Sequence, residues 1–247
     1  MKGKGSYGQF CPVALTSEVL AERWTPLVVR ELIMGSRRFA DIHRGVPRMS
    51  PTMLTRRLRE LERAEVVVRR LSKDAKIEYH LTQAGQALGP IVMGFASWGK
   101  QFAKLRIQPG EVDPGLLIWE IRRWMDVSAL PKGRSVILFR FPDASKRRQC
   151  WWLVAESGEV DLCLQNPGFE ADLTVDADMA TLARLWRGDV TSEQATASGK
   201  IRLYGSLILS RSFGRWIGVS PLVRSRKTGP LPPPRLLAVG GSRAYST

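Results

Sequence analysis

Histidine and cysteine are scarce in this chain of 247 residues, which holds two of the first and three of the second. Cys11, Cys150 and Cys163 are odd in number and lack paired spacing, so neither a disulfide framework nor a Cys/His metal site is indicated. His43 and His80 both precede the midpoint, which leaves the second half without a histidine to act as a general base. We therefore expect no enzymatic activity, no cofactor and no metal.

Long apolar runs are also missing. No stretch of 18 apolar residues occurs, and the first residues lack an apolar core of signal-peptide length. The sequence therefore predicts a cytoplasmic protein that does not enter a membrane.

Positive charge is abundant, with a formal net charge of +15, but it is unevenly distributed. Residues 1–106 hold 19 Lys and Arg against 9 Asp and Glu, residues 107–223 hold 14 against 14, and residues 224–247 hold 5 against none. Charge concentrated at the front implies a polyanionic partner there, bound in a salt-sensitive manner.

The stretch from Arg48 to Arg70 has the clearest functional pattern. Ser50 followed by Pro51 predicts a helix start, because serine can cap an orphan amide and proline loses no bond at the first position. Helical spacing gives two faces, a packing face with Met53, Leu54, Leu58 and Leu61 and a free face with Thr52, Thr55, Arg56, Arg59 and Arg63. The free face suits the major groove of DNA, although a solvated arginine face of an ordinary helix has the same composition.

The neighbouring segments predict a winged helix-turn-helix. Helices are predicted from Cys11-Pro12 to Leu20, from a Thr25 cap to Gly35, and across FADIHR, with the turn at Gly45 before the Ser50 helix. The runs VVVRRL and KIEYHL, joined by a polar turn, predict a basic hairpin. The predicted DNA contacts are Arg37, Arg38, Ser50, Thr52, Thr55, Arg56, Arg59, Arg69, Arg70, Lys73 and Lys76.

A long helix is predicted from a Thr82 cap through about Lys104. It carries an apolar stripe made of Leu88, Ile91, Val92, Phe95, Trp98 and Phe102. Such a stripe is more often core, but a small winged domain has little core left to offer it, which favours a homodimer seam.

Residues 11–102 resemble the HxlR-type family of winged helix-turn-helix transcriptional regulators. The similarity lies in RWTPLVVREL, GSRRFADI, PRMSPTMLTRRLRELE and EYHLTQAGQAL. It implies a homodimer that binds operator DNA with two recognition helices about one turn of DNA apart. It also implies that Cys11 occupies a position used by some members to sense redox state. Glu65 replaces the usual glycine after the recognition helix, so that helix is expected to continue or to end without a left-handed cap.

The rear half predicts an α+β domain. An Asp113 cap precedes a helix, five strand-like runs follow (SVILFRF, QCWWLVA, EVDLCLQ, ADLTVD and KIRLYG), and LILSRSFGRWIG is predicted as one final helix. Six of the eight tryptophans lie in this half, either in an ordinary core or around an apolar ligand cavity.

Residues 170–217 resemble the sterol-carrier-protein-like family through EADLTVDADMATLARLWRGDV and ATASGKIRLYG. The resemblance implies a five-stranded sheet covered by helices around a tunnel for a hydrophobic ligand. Candidate lining residues are Trp119, Trp151, Trp152 and Trp186.

The predicted organisation is α+β throughout: a winged helix-turn-helix DNA-binding and dimerisation domain at 1–106, a sterol-carrier-like ligand-sensing domain at 107–223, and a basic disordered tail at 224–247. The predicted function is a dimeric, sequence-specific transcriptional regulator of double-stranded DNA, modulated by a hydrophobic small molecule. Two alternatives stay open: a redox-sensing repressor acting through Cys11, and a lipid carrier with nonspecific DNA affinity.

Overall fold

The computed structural model describes residues 6–103 and 112–221. The chain forms two compact units that divide between Gly99 and Lys100, here called the front unit and the rear unit. Residues 104–111, which contain the predicted domain boundary, and the whole predicted tail from Arg224 lie outside the described residues. None of the described helices is both long and apolar enough to cross a bilayer.

Residues 6–103 form six helices and one antiparallel hairpin, and all of these except the last three residues of α6 belong to the front unit. Its elements are α1 (Pro12–Leu20), α2 (Thr25–Ile33), α3 (Phe39–Gly45), α4 (Pro51–Arg63), β1 (Val67–Leu71), β2 (Ile77–Leu81), α5 (Gln83–Ala87) and α6 (Gly89–Phe102). Buried side chains from α2, α3, α4 and β1 form its core. The helix-turn-helix and the hairpin therefore follow the predicted order.

The start of α2 differs from the prediction, because Thr25 is not its cap. Thr25 is helical and buried, and the N-cap is Trp24, whose backbone is left-handed with φ 78°. The carbonyl of Trp24 accepts hydrogen bonds from the amides of Leu27 and Val28, both at 3.0 Å. The turn after α1 thus begins the helix one residue earlier than the Thr-Pro pair indicates.

The end of α4 corrects a second expectation, because the helix does end with a left-handed cap. Glu65 has φ 57°, and its amide donates to the Glu62 carbonyl at 3.0 Å. The amide of Val66 donates to the Leu61 carbonyl at 3.0 Å, which completes a Schellman motif. A glutamate therefore occupies a conformation that usually favours glycine.

The long helix predicted after Thr82 is interrupted. Thr82 caps α5 as expected, with its Oγ1 accepting the Gly85 amide at 3.1 Å, but α5 ends at Ala87. Pro90 has no amide hydrogen for the Gln86 carbonyl, and its ring crowds that carbonyl, so a new helix must begin. The predicted end near Lys104 lies outside the described residues.

Within residues 112–221, the rear unit contains five helices, two single-turn helices and five strands. Its elements are α7 (Pro114–Trp124), a 3-10 turn at Val127–Ala129, β3 (Ser135–Arg140), a 3-10 turn at Lys146–Arg148, β4 (Cys150–Glu156), β5 (Glu159–Cys163), β6 (Leu173–Ala177), α8 (Met179–Trp186), α9 (Ser192–Ala197), β7 (Ile201–Gly205), α10 (Leu207–Arg211) and α11 (Phe213–Ile217). The Asp113 cap of α7 is confirmed by its carboxylate, which accepts the Leu116 amide at 3.0 Å.

The five rear strands form one mixed sheet with the order β5-β4-β3-β6-β7. β3 and β6 are parallel, and the other neighbours are antiparallel. The main core lies on the sheet face that includes Ile137, Phe139 and Leu153 and is packed by helices. Five strands agree with the number implied by the sterol-carrier resemblance, although a strand count does not identify a family.

The final predicted helix is two short helices instead of one. Ser212 ends α10 and begins α11, and its hydroxyl donates to the Ile208 carbonyl at 2.9 Å. Such a back-bond competes with the regular helical pattern and bends the chain.

We predict that Glu65→Gly stabilises the protein by about 1 kcal/mol, because glycine adopts the left-handed backbone without the steric cost that a Cβ carries. Thermal and urea unfolding of the full chain would measure the gain. Glu65→Ala is the matched control, since it removes the same charge but keeps the Cβ. Equal gains in both variants would assign the effect to charge and contradict the prediction.

Candidate nucleic-acid interface

α4 is held by a capped start and a buried apolar face. The Ser50 hydroxyl accepts the Met53 amide at 3.2 Å, and Pro51 occupies the first turn. Leu54, Leu58 and Leu61 are buried, as the helical spacing predicts, whereas Met53 is only half-buried. The packing face is therefore fixed, and the opposite face is presented outward.

The turn before α4 rests on a buried carboxylate that sequence analysis missed. Glu31 of α2 is fully buried and accepts hydrogen bonds from Arg30 Nη2 at 2.8 Å and from Ser36 Oγ at 3.1 Å. Arg30 Nη2 also donates to the Gly45 carbonyl at 3.0 Å. Arg30 and Ser36 are close to Glu31 in sequence, but Gly45 lies on another helix, so the sequence pattern gives no signal of the whole arrangement.

Gly45 is required by the same arrangement. A Cβ at this position would lie 2.0 Å from Cδ of Glu31, well inside any tolerated contact. The absence of a side chain at Gly45 thus lets the α3–α4 turn sit directly on the carboxylate. The entry of the chain into α4 depends on this close approach.

The outward face of α4 carries hydroxyls and guanidinium groups. Thr52, Arg56 and Arg59 are exposed, and Thr55 is partly exposed with its hydroxyl donating to the Pro51 carbonyl at 3.0 Å. These side chains line a shallow groove of about 530 Å³ together with Glu60 and Arg63. The structure therefore brings the four predicted groove-facing residues of α4 onto one surface.

Glu60 connects the exposed and buried sides of α4. One carboxylate oxygen accepts from Arg56 Nε at 2.9 Å, and the other accepts from Arg57 Nη1. Partial burial favours a higher pKa for Glu60, but the hydrogen bonds from the two arginines outweigh it and lower that pKa below the ordinary value. The bond to Glu60 likewise raises the pKa of Arg56.

Arg57 has a structural position beside the packing face of α4. Its side chain is buried, and Nη2 donates to Oε2 of Glu22 at 2.7 Å. Glu22 follows α1, so this ion pair joins the end of α1 to α4. Arg56 and Arg57 are adjacent in sequence, but the first is exposed and the second is buried.

The hairpin presents a second basic surface. Arg69, Arg70, Lys73 and Lys76 are all exposed on its strands and turn. The turn is closed by the Ser72 amide, which donates to the Lys76 carbonyl at 2.8 Å. Arg69 is 3.9 Å from Glu62 of α4, which is too long for a strong ion pair.

Arg37 and Arg38 are held by contacts within the protein. Arg37 Nη1 donates to the Leu32 carbonyl at 2.6 Å, and desolvation by burial lowers the pKa of Arg37, partly offset by Glu78. Arg38 Nη2 donates to Asp74 Oδ2 in the hairpin turn at 2.9 Å. The Arg37 side chain therefore binds the end of α2, and the Arg38 side chain binds the hairpin turn. DNA contact by either stays a prediction.

The four tryptophans proposed as a ligand lining have separate environments in the rear unit. Trp119 is buried, with the Arg122 guanidinium 4.9 Å from its ring centroid. Trp186 belongs to the hydrophobic core, and Trp151 packs against that core while its Nε1 donates to the Arg148 carbonyl at 2.8 Å. Trp152 is partly buried on β4.

All three cysteines are free and partly exposed. Cys11 is the N-cap residue of α1, with its thiol making no capping hydrogen bond. Burial raises the pKa of the Cys163 thiol, and the nearby Asp161 carboxylate raises it further.

Comparison with known proteins bears on the front part of the chain. Residues 19–106 match the family described as HxlR-like helix-turn-helix. The chain is 35% identical over 94 residues to the uncharacterized HTH-type transcriptional regulator YdeP of Bacillus subtilis (strain 168), covering 37% of this chain and 73% of YdeP. It is 35% identical over 95 residues to the HTH-type transcriptional regulator YodB of the same organism, covering 38% and 81% respectively.

A solved structure, the redox regulator HypR in its reduced form, is 34% identical to this chain, with a TM-score of 0.36. The similarity covers 38% of this chain and 95% of that chain. The family match itself ends at residue 106 and does not include the rear sheet.

Proposed function

The chain belongs to the HxlR-like helix-turn-helix family, and from this premise we propose that it is a dimeric transcriptional regulator whose α4 reads operator DNA in the major groove. The single observation that carries the proposal is the outward face of α4, where Thr52, Arg56 and Arg59 are exposed in the first turns. Residues in these turns of a recognition helix are the ones that reach base edges.

Arg56 is the best candidate for base recognition. Its guanidinium is exposed, and the bond to Glu60 holds it along the helix in the free protein. Arginine can donate two hydrogen bonds to a guanine edge, so binding would exchange part of the Glu60 interaction for contacts to DNA. Exposed ion pairs of this kind contribute little stability, so weakening the Arg56–Glu60 pair on binding costs little free energy.

The hairpin supplies contacts of a different kind. Arg69, Arg70, Lys73 and Lys76 are all exposed on the hairpin. We assign them to phosphates, which fix the position of the protein without selecting sequence. When these groups neutralise phosphates, counterions leave the DNA, so binding weakens as the salt concentration rises.

We predict that Arg56→Ala weakens binding to operator DNA by about 1–3 kcal/mol, with a much smaller loss on scrambled DNA, because a base contact is removed. Competition binding of the full chain to its own upstream DNA and to scrambled DNA, across a salt series, would measure both.

Arg215→Ala is the matched control for Arg56→Ala, because its side chain is 71% exposed in the rear unit and the net charge changes equally. Equal affinity of the wild-type protein for both DNAs at moderate salt would overturn the regulator proposal. That result would support the alternative of a carrier protein with nonspecific DNA affinity.

Dimerisation through α6 is the second part of the proposal. Val92 is buried, whereas Ile91 is 41% exposed and Phe95 is 55% exposed. These two residues are four positions apart and lie on one side of the helix. Apolar side chains exposed in this spacing support a helix-to-helix contact with a second copy.

We predict that Phe95→Glu shifts the protein toward monomer and weakens operator binding, because a charge would have to be buried in the seam. Sedimentation equilibrium and DNA titration of the same samples would measure both effects. Ser97→Glu adds the same charge at an exposed polar position of α6 and is the control. An unchanged dimer in Phe95→Glu would place the dimer contact elsewhere.

Redox sensing through Cys11 is a second candidate function. The observation in its favour is the position of Cys11 at the start of α1, where the thiol is partly exposed. A partly exposed thiol can be reached by an oxidant and can enter a reversible oxidation step. The Glu22–Arg57 ion pair joins the end of α1 to α4, so a movement of α1 would displace α4.

We predict for this candidate that an oxidant lowers operator affinity in the wild-type protein and that Cys11→Ser abolishes the response. Binding assays before and after diamide treatment and after re-reduction would measure it. Cys150→Ser and Cys163→Ser serve as controls, since both are partly exposed thiols of the rear unit. A response that persists in Cys11→Ser excludes this mechanism.

A hydrophobic effector for the rear unit also remains a proposal. Its support is the concentration of tryptophan in this half of the chain. Trp186 belongs to the hydrophobic core and Trp151 packs against it. Both positions are also typical of an ordinary core that binds no ligand. One cleft of the rear unit has a volume of about 490 Å³ and is lined by residues of α9, β7, α10 and α11. None of the four candidate tryptophans lines this cleft.

A further inference from the structure

The two edges of the rear sheet differ in their protection. At the β5 edge, Arg122 of α7 donates from Nε to the Val160 carbonyl at 2.6 Å. Among the described residues, no such bond from a helix or loop reaches the main chain of β7, the opposite edge. Unprotected edges are templates for pairing with another strand.

The hydrogen-bond pattern identifies the groups that β7 leaves available. The Asp178 amide donates to the Lys200 carbonyl at 2.9 Å, and the Ser206 amide donates to the Asp172 carbonyl at 2.8 Å. Antiparallel alternation therefore turns the main-chain groups of Arg202 and Tyr204 toward β6. The N–H and C=O groups of Ile201, Leu203 and Gly205 face outward.

The surroundings of β7 leave room for a partner strand. The 490 Å³ cleft opens beside Ile201, Arg202 and Leu203. Within the strand, Tyr204 is 49% exposed. Just after it, Leu207 is 71% exposed and Ile208 is 67% exposed. An open main-chain edge and exposed apolar side chains thus occur at one place.

We propose that β7 pairs with β7 of a second copy of this chain, antiparallel and with Leu203 on the two-fold axis. The main-chain groups of Leu203 then bond to those of Leu203 in the second copy. Ile201 pairs with Gly205 of the other chain at each end. The interface is isologous, so the same surface serves both copies.

The choice of a second copy as the occupant follows from side-chain complementarity. With Leu203 on the axis, Arg202 lies directly opposite Tyr204 of the second copy, and the same contact repeats across the axis. This is a non-hydrogen-bonded pair, in which side chains approach closely. A guanidinium beside an exposed tyrosine ring is a favourable cation–π contact.

The neighbouring registers are less favourable. Shifting the pairing one way places Arg202 opposite Arg202 of the second copy, and like charges directly opposite destabilise a sheet. Shifting the pairing the other way places Tyr204 opposite Tyr204 of the second copy. The central hydrogen bonds then join Leu203 to Gly205. Its φ of 119° and its approach to the Asp172 carbonyl depart from regular strand geometry.

Directed disulfides test the proposal in the full chain, with Cys11, Cys150 and Cys163 first replaced by serine. Arg202→Cys and Tyr204→Cys are prepared as separate proteins with different tags, then mixed and oxidised mildly. Opposed residues of a non-hydrogen-bonded pair are close enough for a disulfide. In the mixture we expect a disulfide-linked dimer that carries both tags. In a sample of either protein alone we expect no disulfide-linked dimer.

Each other outcome overturns the proposal. A link that forms in Arg202→Cys alone or Tyr204→Cys alone rejects the register, and the absence of any link rejects the interface. Adding Leu203→Pro provides a second check, because the Leu203 amide faces away from β6 and proline there leaves the β6–β7 ladder intact. The link should disappear in this variant while the melting transition is retained. The test does not involve DNA, so it is independent of the proposed regulator function.

Discussion

The buried carboxylate of Glu31 is the interaction on which the front unit depends. A charge without exposure is costly unless it is paired and hydrogen-bonded, and here Arg30 and Ser36 supply donors. Arg30 also binds the Gly45 carbonyl, so one ionic group joins α2 to the turn that precedes α4. The direction of α4 is therefore set by a polar contact as well as by the leucines of its packing face.

The local elements of the recognition region could be predicted from sequence because their causes are local. The Ser50 cap, the face of α4 and the hairpin turn each depend on residues within a few positions of one another. The Glu31–Gly45 contact could not be predicted in this way, because it joins residues on two helices. The same limit applies to Arg37 and Arg38, whose partners lie in α2 and in the hairpin turn.

The errors in element boundaries have equally specific causes. Trp24 and Glu65 adopt left-handed backbone conformations. Their residue types do not predict this, because the surrounding turns fix the conformation. The apolar stripe alone predicts one continuous helix after Thr82, whereas Pro90 causes the interruption. In the rear unit the strands and caps were predictable, whereas the open edge of β7 emerges only from strand order.

The two proposed contacts between copies constrain how the chain can assemble. The proposed seam through α6 and the proposed strand pair through β7 are both isologous, and each generates a two-fold axis. If the two axes coincide, one closed dimer satisfies both surfaces. If the axes differ, each copy contacts two others, and the assembly grows beyond a dimer. The proposed regulator places two recognition helices about one turn of DNA apart, so it needs a closed dimer, and coincident axes suit it better than an open assembly.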